Sequence, residues 1–192
     1  MFPDYKGTRE ETPQLVIDSL EPLIGICKAL RIPVLMEKGF EADDVIGSMA
    51  KRAEKEGFDV YMVTPDKDYG QLVTDNVVQL KPGKAGSENE LFDKARVCEK
   101  YGVNRPEQVI DFLTICGDAS DNVPGVKGVG EVGAKKLLGE FGSVDGIYAN
   151  LDKLKPKQRE LFEAARDHIE MSRFLVTIKT DVDLGAFSTK DM

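Results

Sequence analysis

Val16, Leu20, Leu23, Cys27 and Leu30 recur at steps of four and three, which puts them on one face of a helix. Thr12-Pro13 reads as its N-cap followed by proline at the first helical position, and Pro22 should bend it. IPVLM (32–36) is expected to be a short buried strand. A second helix is expected from Glu41 to about Glu56, with Val45, Ile46, Met49, Ala50 and Ala53 inward and Gly57 ending it. FDVYMVT (58–64) then reads as a strand, completing a βαβ unit with parallel strands, and VVQL (77–80) as a third. KPGKAGSENE (81–90) is a loop by composition. Beyond it the pattern predicts helices over 93–101, 106–116, 130–140, 144–150 and 156–174, separated by glycine turns.

The fold class expected is therefore α/β: a mostly parallel sheet flanked by helices, followed by a helical part. We place the boundary near Asp118, giving an α/β body over 1–117 and a helical C-terminal part over 118–192.

Composition changes this picture little. The 41% hydrophobic content allows a core, and no apolar run approaches membrane-spanning length. Cys27, Cys98 and Cys116 fit buried thiols of a reducing compartment better than a disulfide frame. His168, the only histidine, reads as an ordinary helix residue, so no zinc site is suggested. Charge matters more. The net −8 argues against nucleic acid when taken alone, but the acids are segregated and their distribution outweighs the sum.

Three acidic groups stand out: Glu41, Asp43 and Asp44 in FEADD, Asp66 and Asp68 in TPDKD, and Asp118 and Asp121 in GDASD. The first two follow the carboxyl ends of the expected strands 32–36 and 58–64, the edge where open α/β sheets bind ligands. Each group by itself has a structural reading, as helix cap or Asx turn. Together they suggest an all-oxygen ligand set, which selects hard cations such as Mg²⁺ or Mn²⁺. Two such ions ~4 Å apart form a phosphodiester-cleaving arrangement.

VPGVKGVGEVGAKKLL follows at once, with Gly125, Lys127, Gly128, Gly130 and Gly133 before Lys135 and Lys136. Glycines allow close approach, and a helix N-terminus offers N–H groups to phosphate, so the segment suits a nucleic-acid backbone without base reading. The mixed charges of 155–174 read as a solvated face.

FEADDVIG, the DKD of TPDKD, and GDASDNVPGVKGVGEVGAKKLL, in this order, resemble the 5′ nuclease (flap endonuclease) family. The likeness is closest to the 5′→3′ exonuclease domain of bacterial DNA polymerase I. It runs from PDYKGTR to about Leu184 and implies a PIN-like body with a helix–hairpin–helix element. It also implies a metal-dependent nuclease of branched or nicked duplex DNA with 5′ flaps and of RNA primer–DNA, in the bacterial cytoplasm at the nucleoid. Glu41, Asp43 and Asp44 match the family's first metal cluster, and Asp66, Asp68, Asp118 and Asp121 its second. Gly125–Gly133 matches the hairpin that grips duplex phosphates, often with a K⁺ held by backbone carbonyls. Tyr5, Lys6 and Arg9 match the end of the helical arch, where Lys and Arg assist at the scissile phosphate. Pro65 stands where many relatives have glycine. The family's first strand, its metal-binding Asp and most of the arch would lie before Met1, leaving an unpaired sheet edge. A polymerase part would belong to the full-length protein. Two alternatives stay open: a branched-DNA-binding module that no longer cuts, and a PIN-like ribonuclease.

Overall fold

The computed structural model describes residues 4–7, 9–84, 86–185 and 187. Pro3 and Thr8 of the PDYKGTR stretch lie outside them.

Helix α1 spans Gln14–Ala29 and runs through Pro22. Pro13, not Thr12, takes the cap position, and no side chain caps the helix. Helix α2 spans Ala42–Lys55, and Gly57 ends it with φ 88°. The sheet comprises β1 (Val60–Val63), β2 (Val77–Lys81) and β3 (Glu90–Phe92), with β1 and β2 parallel and β3 antiparallel to β2. Helices α3 (Lys94–Tyr101) and α4 (Val109–Cys116) follow. The C-terminal part holds α5 (Glu131–Phe141), α6 (Val144–Tyr148), α7 (Pro156–Ala165) and α8 (Ile169–Val176).

The α/β class expected from the sequence holds, but three elements differ. IPVLM forms no strand, and Ile32, Val34 and Met36 are solvent-exposed. No strand of the described residues pairs with it, and an apolar run without a ladder partner has no reason to stay extended in a sheet. The parallel crossover therefore runs from β1 to β2 through the 3-10 turn Asp68–Leu72. The expected loop 81–90 loses both ends to the sheet: Lys81 closes β2, and Glu90 opens strand β3 (ELF, 90–92), for which Gln79, Leu80 and Lys81 supply partners. The expected helix 156–174 is two helices broken between Ala165 and Ile169.

The core is one continuous cluster in which α4 is central, packing against α5 and α8 with Phe112, Leu113, Ile115, Leu137, Leu138 and Phe162 buried. Helix α1 buries nothing, and Leu20, Leu23 and Leu30 face solvent. Ile46 also points outward, while Gly47 and Ser48 are buried beneath the chain after α8. A side chain at 47 would sit 2.8 Å from Ile178 Cγ2, and Ser48 Oγ accepts from Val182 N at 2.9 Å. That final segment is thereby strapped across α2, closing one wall of the site. Cys27, Cys98 and Cys116 are unpaired and half-buried rather than fully buried.

Candidate metal and nucleic-acid site

Three local structures bring the acidic groups together. Glu41 precedes α2, and its N–H donates to Asp44 Oδ2 at 3.2 Å, an acid reaching back to cap the helix start. After β1 the chain turns on Asp66, whose Oδ1 accepts from Asp68 N at 2.9 Å. Gln79 Nε2 donates to the carbonyls of Thr64 and Asp66, fixing that turn to β2. In GDASDNVPG, Asp118 and Val123 exchange backbone hydrogen bonds of 2.9 and 2.7 Å, and Asp118 Oδ1 accepts from Ser120 N at 2.8 Å. The loop closes on itself because Gly117 and Gly125 lie back to back. A Cβ at Gly125 (φ 58°) would fall 2.4 Å from Gly117 N, which no side chain tolerates.

Cross-links then join the three. Tyr69, almost fully buried, donates its hydroxyl to Asp43 Oδ1 at 2.9 Å, and Tyr101 Oη donates to Lys67 O at 2.9 Å. The N-terminal residues dock on the GDASD loop: Lys6 N donates to Asp121 O at 3.0 Å and Asn122 Nδ2 to Asp4 O at 2.8 Å. Arg9 Nε donates to Asp121 Oδ1 at 3.0 Å, Lys6 Nζ to Glu41, and Lys67 Nζ to Asp118. A cleft of about 510 Å³ opens among Tyr5, Arg9, Glu41, Asp43, Asp44, Asp66, Asp68, Asp118 and Asp121, with residues 174–179 as its far wall. All seven acidic candidates thus line one cleft.

Their electrostatics differ. Burial, with Asp66 and Asp118 nearby, pushes the Asp68 carboxyl up to about 6 against the pull of Lys67. Burial likewise raises Asp43, only partly offset by the Tyr69 hydroxyl. Asp118 is lowered, because Lys67 and Ser120 outweigh burial. Asp44 has both oxygens taken by backbone N–H groups, of Glu41 and of Lys179 at 2.9 Å, and so suits a structural role. Asp68 Oδ1 is buried and accepts no hydrogen bond, although the Lys67 ammonium stands 3.5 Å away as an ion-pair partner. A buried carboxylate oxygen held only by so loose an ion pair is costly unless a closer cation reaches it. Among the described residues no three acids converge tightly enough to cage an ion. The cations of Lys6, Arg9 and Lys67 occupy the carboxylates instead. The donor set is all carboxylate oxygen, the chemistry that suits a hard cation.

In the hairpin, Lys127, Gly128, Gly130 and Lys136 are exposed, and Val132 is 85% exposed. Gly133 abuts Val129, with 3.1 Å between a would-be Cβ and Val129 Cγ1. Gly125 is buried at the loop base, and its carbonyl oxygen accepts from His168 Nε2 at 2.9 Å. It therefore shapes the hairpin from beneath. His168 stands in the break before α8, so the expectation of an ordinary helix residue is corrected. Sequence reasoning also missed Lys67, the middle residue of the DKD motif, Tyr69 just after it, and the exposed Phe174 at the cleft rim. Nothing local marks His168, because it acts through a contact with a distant segment, and Phe174 stands at the cleft only because α8 folds back to it.

Comparison with known proteins gives consistent matches. The N-terminal resolvase-like domain of 5′-3′ exonucleases matches residues 1–102, and their C-terminal SAM fold matches residues 104–192. The chain is 43% identical over 186 residues to the thermostable DNA polymerase I of Thermus aquaticus, covering 94% of this chain and 21% of that one. It is 40% identical over 184 residues to DNA polymerase I of Bacillus subtilis (strain 168), covering 95% and 21%. The chain spans about a fifth of the length of these relatives. A zinc-bound T5 5′-exonuclease structure superposes with TM-score 0.78 at 25% identity, covering 91% of this chain and 67% of that one. A bacteriophage T5 flap endonuclease in complex with DNA and metal ions gives 0.74 at 25% identity, with the same coverage.

Proposed function

The chain belongs to the 5′-3′ exonuclease family, and from that premise we propose that it is a structure-specific 5′→3′ exonuclease and 5′-flap endonuclease. Its substrates would be branched or nicked duplex DNA with a 5′ flap and RNA primer–DNA, as in primer removal during replication and repair in a bacterial cytoplasm. The observation that carries this reading is the meeting of three acidic segments in one cleft, with a glycine hairpin leading directly out of the third.

Asp66, Asp68, Asp118 and Asp121 would hold one divalent cation, and Glu41 and Asp43 a second, with Asp44 bracing the start of α2. Bound Mg²⁺ or Mn²⁺ would supply a water of lowered pKa and neutralise charge on the scissile phosphate. Lys6, Arg9 and Lys67 pair with these carboxylates and would turn to the phosphate as cations take their place. Tyr5 lines the cleft beside them, where its ring can rest against a nucleotide. The backbone at Gly128, Gly130 and Gly133, with Lys127, Lys135 and Lys136, would hold duplex phosphates further along, and a K⁺ could sit against hairpin carbonyls. Gly125 supports that hairpin. We place the division of labour at Gly117, between a cleaving body over 1–117 and a duplex-holding part over 118–192. With Asp44 committed to backbone, the Glu41–Asp43 side has few free ligands, so this chain should cut slowly.

The ion pairs now covering the carboxylates favour one other reading, a branched-DNA-binding module that does not cut. A 5′-flap cleavage assay in Mg²⁺, with an Asp68→Ala control, separates the two. Slow cleavage abolished by Asp68→Ala supports the nuclease. Binding without Asp68-dependent cleavage supports the module.

A further inference from the structure

Beside the acidic cleft lies a concentration of the opposite charge. Lys81 at the end of β2, and Arg96 and Lys100 on α3, hold their cations 4.7, 5.0 and 4.9 Å from the centre of the Phe92 ring. Lys100 is also 5.2 Å from the Tyr101 ring. A cation–π contact at the surface is weak, so one ring does not account for drawing two lysines together. Lys100 sits in the last turn of α3, where the helix dipole favours it, but Lys81 has no such reason.

Neither lysine has a carboxylate within ion-pair distance among the described residues. Glu90, opposite Lys81 across the β2–β3 ladder, binds Arg96 at 3.2 Å instead. The two ammonium groups share the Phe92 ring, 4.7 and 4.9 Å from its centre. Burial and the Lys100 ammonium together pull Lys81 down to about 8. Two cations on one ring, with Asp66 and Glu90 near but no carboxylate at ion-pair distance among the described residues, leave room for further negative charge in a chain of net charge −8.

Its position is informative. Lys81 follows Leu80, whose carbonyl accepts from Thr64 N at 3.1 Å, so it flanks the turn that carries Asp66. At the other side α3 ends on Gly102, and the Lys135 stem lies across it, its Cγ 3.0 Å from where a Cβ would stand. Lys100 shares the Phe92 ring with Lys81 and stands on the helix whose end the Lys135 stem covers, which puts the pair on elements that adjoin both the hairpin helix and the Asp66 turn.

We propose that Lys81 and Lys100, with Arg96 at the margin, form a phosphate site for the backbone of bound nucleic acid, linking the hairpin's grip to the acidic cleft. This rests on the nucleic-acid reading above. A phosphodiester placed between the ammonium groups accepts from both and relieves their repulsion, and the contact carries no base information.

The test is binding of this chain to a 5′-flap duplex without divalent cation, followed across a salt series for wild type, Lys81→Gln/Lys100→Gln and Lys81→Arg/Lys100→Arg. The Gln pair should weaken binding roughly tenfold at low salt and flatten the log–log salt slope by about one to two units, and the Arg pair should restore both. The melting temperature of the Gln pair should stay near that of wild type, because relief of the like-charge contact offsets the lost ring contacts. A stable Gln pair with unchanged slope overturns the site while leaving nucleic-acid binding intact. Absence of salt-dependent duplex binding by wild type overturns the nucleic-acid reading and this site with it. Should the Gln pair unfold, lysine side-chain NMR on wild type decides. Lys81, with Lys100, Arg96, Asp66 and Glu90 as the charges about it, should titrate higher when duplex is added, and an unmoved titration overturns the proposal.

Discussion

His168 and Gly125, 43 residues apart, meet at 2.9 Å, with the imidazole Nε2–H donating to the glycine carbonyl oxygen. The bond ties the break before α8 to the base of the hairpin, so the hairpin's position depends on a side chain far along the chain. His168→Ala leaves a buried carbonyl without a donor, at a cost of roughly 1–3 kcal/mol. The melting temperature should fall by several degrees, and duplex binding should weaken alike for all base sequences. Unchanged values for both would show that the contact is incidental.

Asp68 ties the metal question to pH. Its folded-state carboxyl is raised to about 6, so folding favours its protonated form. The stability this gives is full below about pH 4 and is lost as pH rises through about 6. Asp68→Asn mimics the protonated form. In chelator it should stabilise the protein by on the order of 2–3 kcal/mol above about pH 7 and hardly at all near pH ~4. The same variant should lose most of the melting-temperature gain that wild type shows in millimolar Mg²⁺ or Mn²⁺. A full metal response in the variant would remove Asp68 from the ligand set.

Lys135→Ala with Lys136→Ala should weaken duplex binding for every base sequence and lower the salt slope by up to about two units. Measured across several duplexes of different sequence, a changed base preference would contradict backbone-only contact. Lys135→Ala should have the larger effect on stability, since its stem covers Gly102 while Lys136 stands in solvent.

Leu23→Glu on α1 should leave the melting temperature within a degree or two of wild type, because Leu23 is 55% exposed and its helix buries nothing. A drop worth more than about 1 kcal/mol would mean that α1 packs against the body in solution.

What the sequence determined by itself was local. Acid spacing in FEADD, TPDKD and GDASD marked the cleft, since capping and Asx turns place such residues at element ends whatever surrounds them. Periodicity located α2, α3 and α5 to within a residue or two, because each has a strong stop or start signal in Gly57, Gly102 or Gly130. Tertiary structure decided whatever needed a partner. IPVLM has strand composition, but without a neighbouring ladder it stays irregular. The α1 stripe has helical period, but period cannot say whether a face is covered. Which carboxylate keeps a free oxygen was equally hidden: Asp44 and Asp68 look alike in sequence. Lys179 N arrives from 135 residues away to occupy the one, while the buried oxygen of the other has no hydrogen bond and only the Lys67 ammonium 3.5 Å away. Burial and hydrogen-bond satisfaction are properties of the assembled chain, and they separate a structural acid from one able to take a cation.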